Sequence, residues 1–494
     1  MQKPVEQVEA DPTVRGGPRG WLLSVAVAAA VGIAYFLAAH LGLALLSTPE
    51  RVAIFWPAAG IAAGALIALG RWARAPVVLA VISSSVAASL LSDRNIWSAL
   101  AFGFCNAGEA LVVMWLIERW FGPAFNLDSL RRVLGFFAAA AVATAAAAVG
   151  ATGAMQLFGP STAAFIDVWR VWFVSDALGL ITVAPLLIGS AAAVRDAPSS
   201  RELIEGTVVV GAVAITIVLL LAILSGPWSL IGPSSILFPL LLWLGYRCRP
   251  VFAAAAAFTI AAAIVLTTTN EFGRYGDPAQ PIAIRVVAAQ IVMLGTTLVA
   301  LALAALFAER RRHEATIIAS ELHLRSILDA ANVIAWEADL VRNSVHSTGP
   351  VGRLLDRPGS EPYDFAGIVK KIHPEDRDRV MAQFWKAVST NAAYQLEFRL
   401  CSSGGSARWV TAEGLIERDS HGRPVRVRGI TRDVTERKQA EQGLQESERK
   451  LRELLGALPA AIHTTDTAGR ITFCNKAAVD LWGVSPELGK DKCS

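Results

Sequence analysis

The sequence predicts a polytopic all-α membrane bundle of about ten spans, followed by small α+β domains that are joined by helical linkers. Three observations predict this fold class. The chain of 494 residues is 54% hydrophobic and only 17% charged, which is too apolar for a soluble protein of this length. Lysine is absent between Lys3 and Lys370. Charged residues become dense after Glu309, so a membrane half ends near that residue.

Apolar windows of roughly 20 residues, each long enough to cross a bilayer, follow a short N-terminal tail at residues 1–20. The windows are 21–47, 52–70, 75–92, 97–118, 133–158, 168–190, 204–225, 232–246, 250–268 and 283–308. They predict a membrane domain over residues 21–308. The windows 232–246 and 250–268 are the weakest, so an eight-span bundle with two half-helices folded into re-entrant elements stays open.

Arginine residues predict the orientation of the bundle, because cytoplasmic loops retain Lys and Arg. Alternate loops carry Arg15, Arg19, Arg71, Arg74, Arg119, Arg131, Arg132, Arg195, Arg201, Arg247, Arg249 and the run "ERRR" at 309–312. The intervening loops hold little beyond Arg51, Arg94 and Arg274. The alternation predicts an even number of spans in a bacterial inner membrane, with both termini in the cytoplasm.

Polar residues inside the windows are expected to face protein or water, because contact with lipid is costly for them. Asn106 and Glu109 lie in "FGFCNAGEALVV", and Asp176 lies in "VWFVSDALGLITVAP". Two roles are open for these side chains. They could be neutral or hydrogen-bonded groups that hold neighbouring helices together, or they could line a ligand or ion site in the bundle.

A series of motifs gives the membrane half a family resemblance. In order, they are "FWPAAGIAAGALIALG" with "RWARAP", "NAGEAL", "WRVWFVSDALGLITVAPLL", "FPLLLWLGYRCRP" and a last helix that ends in "AERRR". Their order resembles the first type of membrane-associated sensor domain (the MASE class) of bacterial signalling proteins, over about residues 20–310. The resemblance implies a multi-span sensory input. It places the candidate sensing residues at motif positions, namely Asn106, Glu109, Trp172, Asp176 and Pro185.

Residues 309–330 continue the last span as an amphipathic segment without Gly or Pro, which predicts a rigid connector helix. Residues 331–435 then give short strands and helices in turn. The segments are "VIAWEADL", "SVHST", a helix at "VGRLL", a longer helix at "PEDRDRVMAQFWKAVS", and the strands "AYQLEFRL", "ARWVTAEGLIERD" and "PVRVRGITRDV", with turns at "SSGGS" and "SHGR". This order predicts a small antiparallel sheet with helices on one face. It resembles a PAS domain, in which "KIHPEDRDRV" and "RGITRDVTERK" are similar to the helix-entry and closing motifs.

The same residues predict no cofactor and no metal ion. The Asn-Cys-Arg-Phe motif of flavin photosensors of the light-oxygen-voltage type is absent from the sequence. His373 is the nearest candidate for a haem ligand, but it directly precedes Pro374 and is expected to be a solvent-facing residue at a helix entrance. The five cysteines form no Cys-x-x-Cys pair, so neither a zinc site nor a disulfide framework is predicted; they are Cys105, Cys248, Cys401, Cys474 and Cys493.

The segment "RGITRDVTERKQAEQGLQESERKLRELL" predicts a strand that passes directly into a charged helix. Asp433 is expected to cap this helix beside Thr435, with Glu436 completing a capping box. Residues 436–458 carry a heptad pattern at Ala440, Leu444, Ser447, Leu451, Leu454 and Leu458. The pattern predicts a coiled-coil signalling helix that pairs two identical chains. The alternative is one amphipathic helix packed on its own PAS domain. The residues expected to transmit the signal are Asp433, Thr435, Glu436, Leu444, Leu451, Leu454 and Leu458.

Residues 459–494 resemble the start of a second PAS domain, with a strand, an Asp-x-x-Gly turn, a strand and "NKAAVDLWG". The strands that would close its sheet do not follow, and half a domain cannot satisfy its sheet edges. We therefore expect the 494 residues to be the input end of a longer protein or a truncated product.

Together these features predict a dimeric membrane receptor that relays a stimulus through PAS domains to an output. The tandem PAS resemblance implies a two-component sensor histidine kinase as parent, with the input of a diguanylate cyclase or phosphodiesterase as an alternative. A transporter-like bundle with a regulatory PAS tail is the third possibility. Because the 494 residues hold no phosphoacceptor His box, Gly-rich ATP site or Gly-Gly-Asp-Glu-Phe motif, no catalytic residue is assigned. The expected partners are membrane lipid, a second copy, a small-molecule or protein stimulus, and an output domain or response regulator, but no nucleic acid.

Overall fold

The computed structural model describes most of the chain. The described residues are 18–44, 46–47, 52–158, 163–223, 233–270, 275–277, 279–352, 364–390, 392–401 and 407–492. The chain divides into two compact units, Met1–Ala315 and Thr316–Ser494. Nearly all of the predicted N-terminal tail, most of the predicted helix at "VGRLL", the turn "SSGGS" and Cys493 lie outside the described residues.

Helices form almost all of the first unit. They are α1 (Pro18–Ala44), α2 (Pro57–Leu69), α3 (Arg74–Leu90), α4 (Ile96–Phe121), α5 (Leu130–Phe158), α6 (Phe165–Arg195), α7 (Ser200–Ile223), α8 (Pro233–Arg247), α9 (Pro250–Thr269) and α10 (Ile282–Ala330), of which α10 continues into the second unit. A short antiparallel hairpin of β1 (Leu46–Ser47) and β2 (Val52–Ala53) lies between α1 and α2. A short 3-10 helix precedes α3.

Among the described residues, eight helices are long and apolar enough to cross a membrane, and α2 and α8 are not among them. This count fits the eight-span alternative better than ten full-length spans. Window 250–268, which looked weak, holds a full-length helix of 20 residues. The weak element is instead at window 52–70, where α2 has only 13 residues. At about 1.5 Å per residue α2 is about 20 Å long, so it is about 10 Å too short to cross a bilayer core of about 30 Å.

The short helix α2 is buried inside the bundle and packs against α6 through glycines. A Cβ atom on Gly60 would lie 2.4 Å from the carbonyl oxygen of Gly179, and a Cβ on Gly179 would lie 1.8 Å from that of Trp56. Only glycine allows two backbones to approach so closely. The N-terminal end of α2 is thereby held against the middle of α6.

The second unit contains a five-stranded antiparallel sheet with the strand order β4-β3-β7-β6-β5. The strands are β3 (Val333–Asp339), β4 (Ser344–Thr348), β5 (Tyr394–Cys401), β6 (Ala407–Arg418) and β7 (Pro424–Asp433). Helices α11 (Phe365–Lys371) and α12 (Pro374–Thr390) are on the path from β4 to β5. The core joins the sheet to α12, with Val380 and Phe384 packed among Ile334, Phe398 and Val410. The predicted antiparallel PAS sheet is confirmed.

The helices and the sheet of this unit enclose an apolar cavity of about 110 Å³, lined by residues that include Trp336, Phe365, Met381 and Tyr394. His373 is not among the residues that line it. The backbone carbonyl of His373 accepts the first hydrogen bonds of α12, and its ring is half-buried rather than solvent-facing as predicted.

Beyond the sheet, helix α13 (Thr435–Ala457) leads to the hairpin of β8 (His463–Thr465) and β9 (Ile471–Cys474), and then to α14 (Lys476–Trp482). The side chain of Asn475 is 2% exposed and joins these elements. Its Nδ2 donates to the carbonyl oxygens of Leu455, Leu458 and Ala460 at 2.8–3.2 Å, and its Oδ1 accepts from the backbone of Ile462. The end of α13 is therefore fastened to the start of the second PAS-like segment.

Candidate functional site

Polar side chains from five helices of the bundle lie together in its interior. We call them the polar cluster: Tyr35 of α1, Ser85 of α3, Asn106 and Glu109 of α4, Thr144 of α5 and Asp176 of α6. The amide of Asn106 donates to the Ser85 hydroxyl at 3.0 Å, and the Thr144 hydroxyl donates to Oε1 of Glu109 at 2.7 Å. Each of the six residues is at most 5% exposed. The cluster therefore ties α4 to both α3 and α5.

The two carboxyl groups of the cluster lie well inside helices that are long and apolar enough to span a membrane. Asp176 lies eleven residues from the start of α6, and Glu109 lies thirteen residues from the start of α4. At about 1.5 Å per residue, these positions are roughly 17 and 20 Å from the helix ends. Ionisable groups at this depth are costly and mark functional sites by default.

Several polar atoms of the cluster lack a hydrogen bond. Within the described part of the chain, Oε2 of Glu109 and the Tyr35 hydroxyl have no partner, and neither has the indole nitrogen of the neighbouring Trp56. The Tyr35 hydroxyl lies near Ser85 and Trp56, but no hydrogen bond is formed there. Asp176 and Glu109 are close enough for their charges to interact. The groups that act on these carboxyl groups are Thr144 and the other carboxyl group, and no basic side chain of the described residues is among them.

A break in the helical backbone lies beside the cluster. The chain between β2 and α2 is not helical, and the amide of Trp56 donates to the carbonyl of Ser175, the residue before Asp176, at 3.2 Å. The side-chain amide of Gln290 on α10 donates to the carbonyl of Ile54 at 3.1 Å. Non-helical backbone at membrane depth is tolerated where protein surrounds it, and such breaks form the binding sites of many membrane proteins.

Of the candidate sensing residues, the structure brings Asn106, Glu109 and Asp176 together and leaves two apart. Trp172 lies one turn before Asp176 on α6 and packs its ring 5.1 Å from that of Phe102, in a separate apolar cluster. Pro185 is buried further along the same helix, where its missing amide hydrogen weakens the helix and favours a bend.

Three members of the polar cluster were not predicted from the sequence: Tyr35, Ser85 and Thr144. All three lie in apolar windows, and none carries a charge at neutral pH. The only sequence signal was a hydroxyl group in an otherwise apolar window.

A second candidate site is the junction between β7 and α13. Oδ1 of Asp433 accepts from the backbone amide of Thr435 at 2.9 Å and from its hydroxyl at 2.6 Å. The Thr435 hydroxyl oxygen accepts from the backbone amide of Trp409 on β6 at 3.0 Å. The predicted capping box is wrong, because the N-cap residue is Val434, which places Glu436 at the second helical position instead of the third. Asp433 instead links the strand to the first residue of the helix.

The first turn of α13 is also bound to the sheet by charged groups that the sequence did not reveal. Glu397 of β5 forms ion pairs with Lys438, at 2.7 Å, and with Arg437. These two basic groups lower the pKa of Glu397. The Lys438 ammonium and the Arg399 guanidinium each lie 5.6 Å from the ring of Trp409, in cation–π geometry. Movement of the β5–β6 pair would therefore move the start of α13.

The leucines of the predicted heptad seam, which lie on α13 and at the residue that follows it, are exposed. Leu444 is 63% exposed, Leu451 56%, Leu454 66% and Leu458 45%, and α13 contains no buried residue. The alternative, in which this face packs on its own PAS domain, is therefore wrong. Pairing of two chains along this seam stays a prediction.

Comparison with known proteins gives matches over both units. A family model described as MASE1 matches residues 26–311, one described as PAS fold matches residues 356–431, and one described as PAS domain matches residues 449–493. In the solved structures, a domain of a sensory box histidine kinase/response regulator from Burkholderia thailandensis is 25% identical. The match covers 26% of this chain and 98% of that one, with a TM-score of 0.24.

Curated relatives of the chain include bacterial sensors. The chain is 26% identical to sensor protein FixL of Bradyrhizobium diazoefficiens over 163 residues, which are 33% of this chain and 32% of FixL. It is 28% identical to two-component sensor PprA of Pseudomonas aeruginosa over 186 residues, 36% of this chain and 20% of PprA. It is also 28% identical to a blue-light-activated histidine kinase of Brucella anthropi over 120 residues, 24% and 23% of the two chains. The matches thus span about a third or less of these relatives.

Proposed function

We propose a sensory function for this chain, which belongs to the MASE1 family. Its membrane bundle senses a stimulus and relays a conformational change through α10, the PAS sheet and α13 to an output. The chain is a sensor input portion, since a MASE1 domain precedes PAS domains and its relatives include sensor histidine kinases. The nature of the output and the route of the relay are parts of the proposal.

The continuity of α10 is the observation that carries this proposal. The helix runs for 49 residues, Ile282–Ala330, and its first half contributes buried residues such as Met293 and Leu301 to the bundle. It ends three residues before β3 begins. A helix whose hydrogen bonds are unbroken moves as a rod, so a shift or rotation at its bundle end reaches the PAS sheet. This arrangement favours a sensory role over transport with a regulatory tail.

The polar cluster is the proposed sensing site, with Asn106, Glu109 and Asp176 at its centre. The position of Gln290 supports this assignment, because this residue of α10 binds the non-helical segment beside the cluster. Trp172 and Pro185, on the same helix as Asp176, are proposed to transmit changes along α6.

The proposed output is a histidine kinase, and the proposed assembly is a homodimer paired along α13. Two relatives are named as a two-component sensor and a histidine kinase, which supports this output. The exposed leucine seam supports the pairing. In the proposed topology both termini are cytoplasmic, as the distribution of arginines predicts.

The relay can be tested with the chain joined to a histidine kinase output, by measuring autophosphorylation in membranes. Two glycines inserted after Ala315 would break α10, and the output should fall to the level of a chain that lacks the bundle. Seven helix-forming residues inserted at the same place rotate the helix by only about 20°, and the output should stay at the level of the uninterrupted chain. Suppose that removal of the bundle changes autophosphorylation but the glycine variant keeps the level of the uninterrupted chain. In that case α10 would not be the relay.

A further inference from the structure

We propose that the polar cluster binds one small monovalent cation, a proton or an alkali-metal ion, between the carboxyl groups of Glu109 and Asp176. The inference identifies the chemical class of the stimulus in the sensory role proposed above, and it rests on that role for its effect on signalling. Binding itself is a property of the bundle that can be measured without any output.

Charge is the first reason for a cation at this position. Glu109 and Asp176 are each 3% exposed, and each lies within the electrostatic reach of the other. Two ionised carboxylates inside the bundle would repel one another without bulk water to screen them. A single positive charge between them removes this repulsion, as in other carboxyl pairs that share one proton. Hydroxyl and amide groups around the pair can stabilise the charge that remains.

The surroundings of the pair fit a small, hard cation. The titratable groups that face the carboxyls are Tyr35 from α1 and Cys105 from α4. The other helices contribute the neutral oxygens of Ser85 and Thr144. Oxygen donors of this type bind hard cations, and the pair needs only one positive charge to remove its repulsion. No group of three or more His, Cys, Asp or Glu side chains able to hold a metal ion occurs in the described residues, so a transition-metal site is not indicated.

Unused polar atoms give an independent reason. Oε2 of Glu109 and the Tyr35 hydroxyl are buried without a hydrogen bond in the described structure, although buried polar groups are nearly always satisfied. Tyr35 is fully buried and lies within the electrostatic reach of both carboxyl groups. A cation, or a proton on the carboxyl pair, would give these oxygens a partner.

The position of the cluster gives the cation a physical route to α10. Trp56, next to the cluster, is held by Ser175 on α6, and Ile54 is held by Gln290 on α10. A change of charge at Asp176 would act on the turn of α6 that holds Trp56. The non-helical segment at Ile54–Trp56 would then transmit the change to α10.

The test uses the purified full chain in lipid nanodiscs. One arm measures binding of radioactive sodium ions, and the other measures proton uptake on acidification with a pH indicator in weak buffer. Wild type should bind about one sodium ion per chain, or take up about one proton per chain more than the Glu109→Gln, Asp176→Asn double variant, because the remaining carboxyl groups titrate in both. Glu109→Gln and Asp176→Asn, which keep the side-chain shape, should each lower the sodium binding by about tenfold or more, or remove the extra proton. The control is Asp167→Asn on the same helix, because Asp167 is half-exposed and pairs with Arg170 at 3.7 Å. It should bind as wild type does.

The two arms distinguish the sources of the charge. Sodium binding accompanied by proton release indicates an exchanging site, whereas proton uptake without sodium binding indicates a proton site, and both support the proposal. Equal uptake by wild type and by the Glu109→Gln, Asp176→Asn double variant would overturn it, provided that both elute and unfold alike. Because no output is involved, absent binding with an intact α10 relay refutes this inference alone. Normal binding with a failed relay refutes only the proposed function.

Discussion

Replacement of Leu451 by aspartate should separate the two copies of α13. Leu451 lies at the centre of the heptad seam, between Leu444 and Leu454, and 56% of it is exposed in the single chain. In a parallel dimer, the same residue of each copy meets its counterpart at the symmetry axis. The substitution therefore removes two leucines from one contact and places two carboxylates opposite each other.

The expected loss of dimerisation free energy follows from the exposure of the Leu451 side chain. Burial of a whole leucine stabilises by about 2 kcal/mol, so the exposed part of Leu451 contributes about 1 kcal/mol in each chain. Two carboxylates about 6 Å apart repel by about 3 kcal/mol at an effective dielectric constant near 20. The sum, about 5 kcal/mol, corresponds to a dimer that is weaker by roughly three to four orders of magnitude.

Sedimentation equilibrium of the second unit, Thr316–Ser494, measures this effect. The matched control is Gln445→Asp, which adds the same charge one residue after Leu444, on the solvent side of the heptad. Wild type and Gln445→Asp should dimerise with similar dissociation constants, whereas Leu451→Asp should be monomeric over the same range. Equal dissociation constants for the two aspartate variants would refute the seam.

Three further predictions concern stability, packing and topology. Arg399 lowers the pKa of Asp376 to about 2 from 3.8. The ion pair should therefore add about 2 kcal/mol to the free energy of unfolding above pH 4, and this contribution should be lost as the pH falls through 2. Urea unfolding of the second unit should show this loss, and a variant with Asp376→Asn that kept the same pH profile would contradict it. Gly179→Ala should lower the thermal stability of the bundle in detergent, because the new Cβ would meet the carbonyl oxygen of Trp56. The control, Gly211→Ala, should leave the thermal stability unchanged, because no atom lies within 4 Å of its Cβ position. Equal losses of thermal stability in the two variants would count against the packing of Gly179 on Trp56. Reporter fusions after positions 72, 128, 198 and 248 should all be cytoplasmic, and an external signal at 198 would contradict the topology.

Hydropathy predicted where most spans lie, but it could not reveal which of them are complete. The window 52–70 is apolar throughout, yet its helix begins only at Pro57, after a non-helical segment that Gln290 and Ser175 hold in place. Hydropathy averages over a window and does not register where backbone hydrogen bonds go. The one local signal was Pro57 itself, since proline favours the first turn of a helix.

In the second unit, alternation of apolar residues predicted the strands, because one face of the sheet is buried. It could not predict which charged side chains would meet. Glu397 and Lys438 are 41 residues apart in sequence and pair only because β5 lies beside the start of α13. The capping residue of that helix was predicted one residue too early, at Asp433 instead of Val434, since a single Asp at a strand end can bind the helix in more than one way.

In the membrane bundle, too, the sequence could not predict which side chains of the polar cluster would meet. Glu109 and Asp176 could be selected from the sequence, because a carboxyl group in a membrane span is rare and costly. Tyr35 and Thr144 could not be selected, because hydroxyl groups are common in membrane helices and satisfy themselves on the backbone. Which of them face a carboxyl group depends on helix packing, and that is a property of the folded bundle.

The central claim is that the state of the polar cluster sets the state of α13. Disulfide cross-linking in native membranes tests it directly, with single cysteines placed in turn along residues 440–458 of a chain whose native cysteines are replaced by alanine. In wild type, cross-linking should peak at Leu444 and Leu451 with a period near 3.5 residues. Glu109→Gln with Asp176→Asn should shift the positions or the relative heights of these peaks, and Asp167→Asn should leave them unchanged. A clear periodic pattern that is identical in all three backgrounds would contradict the claim that the cluster controls the signalling helix.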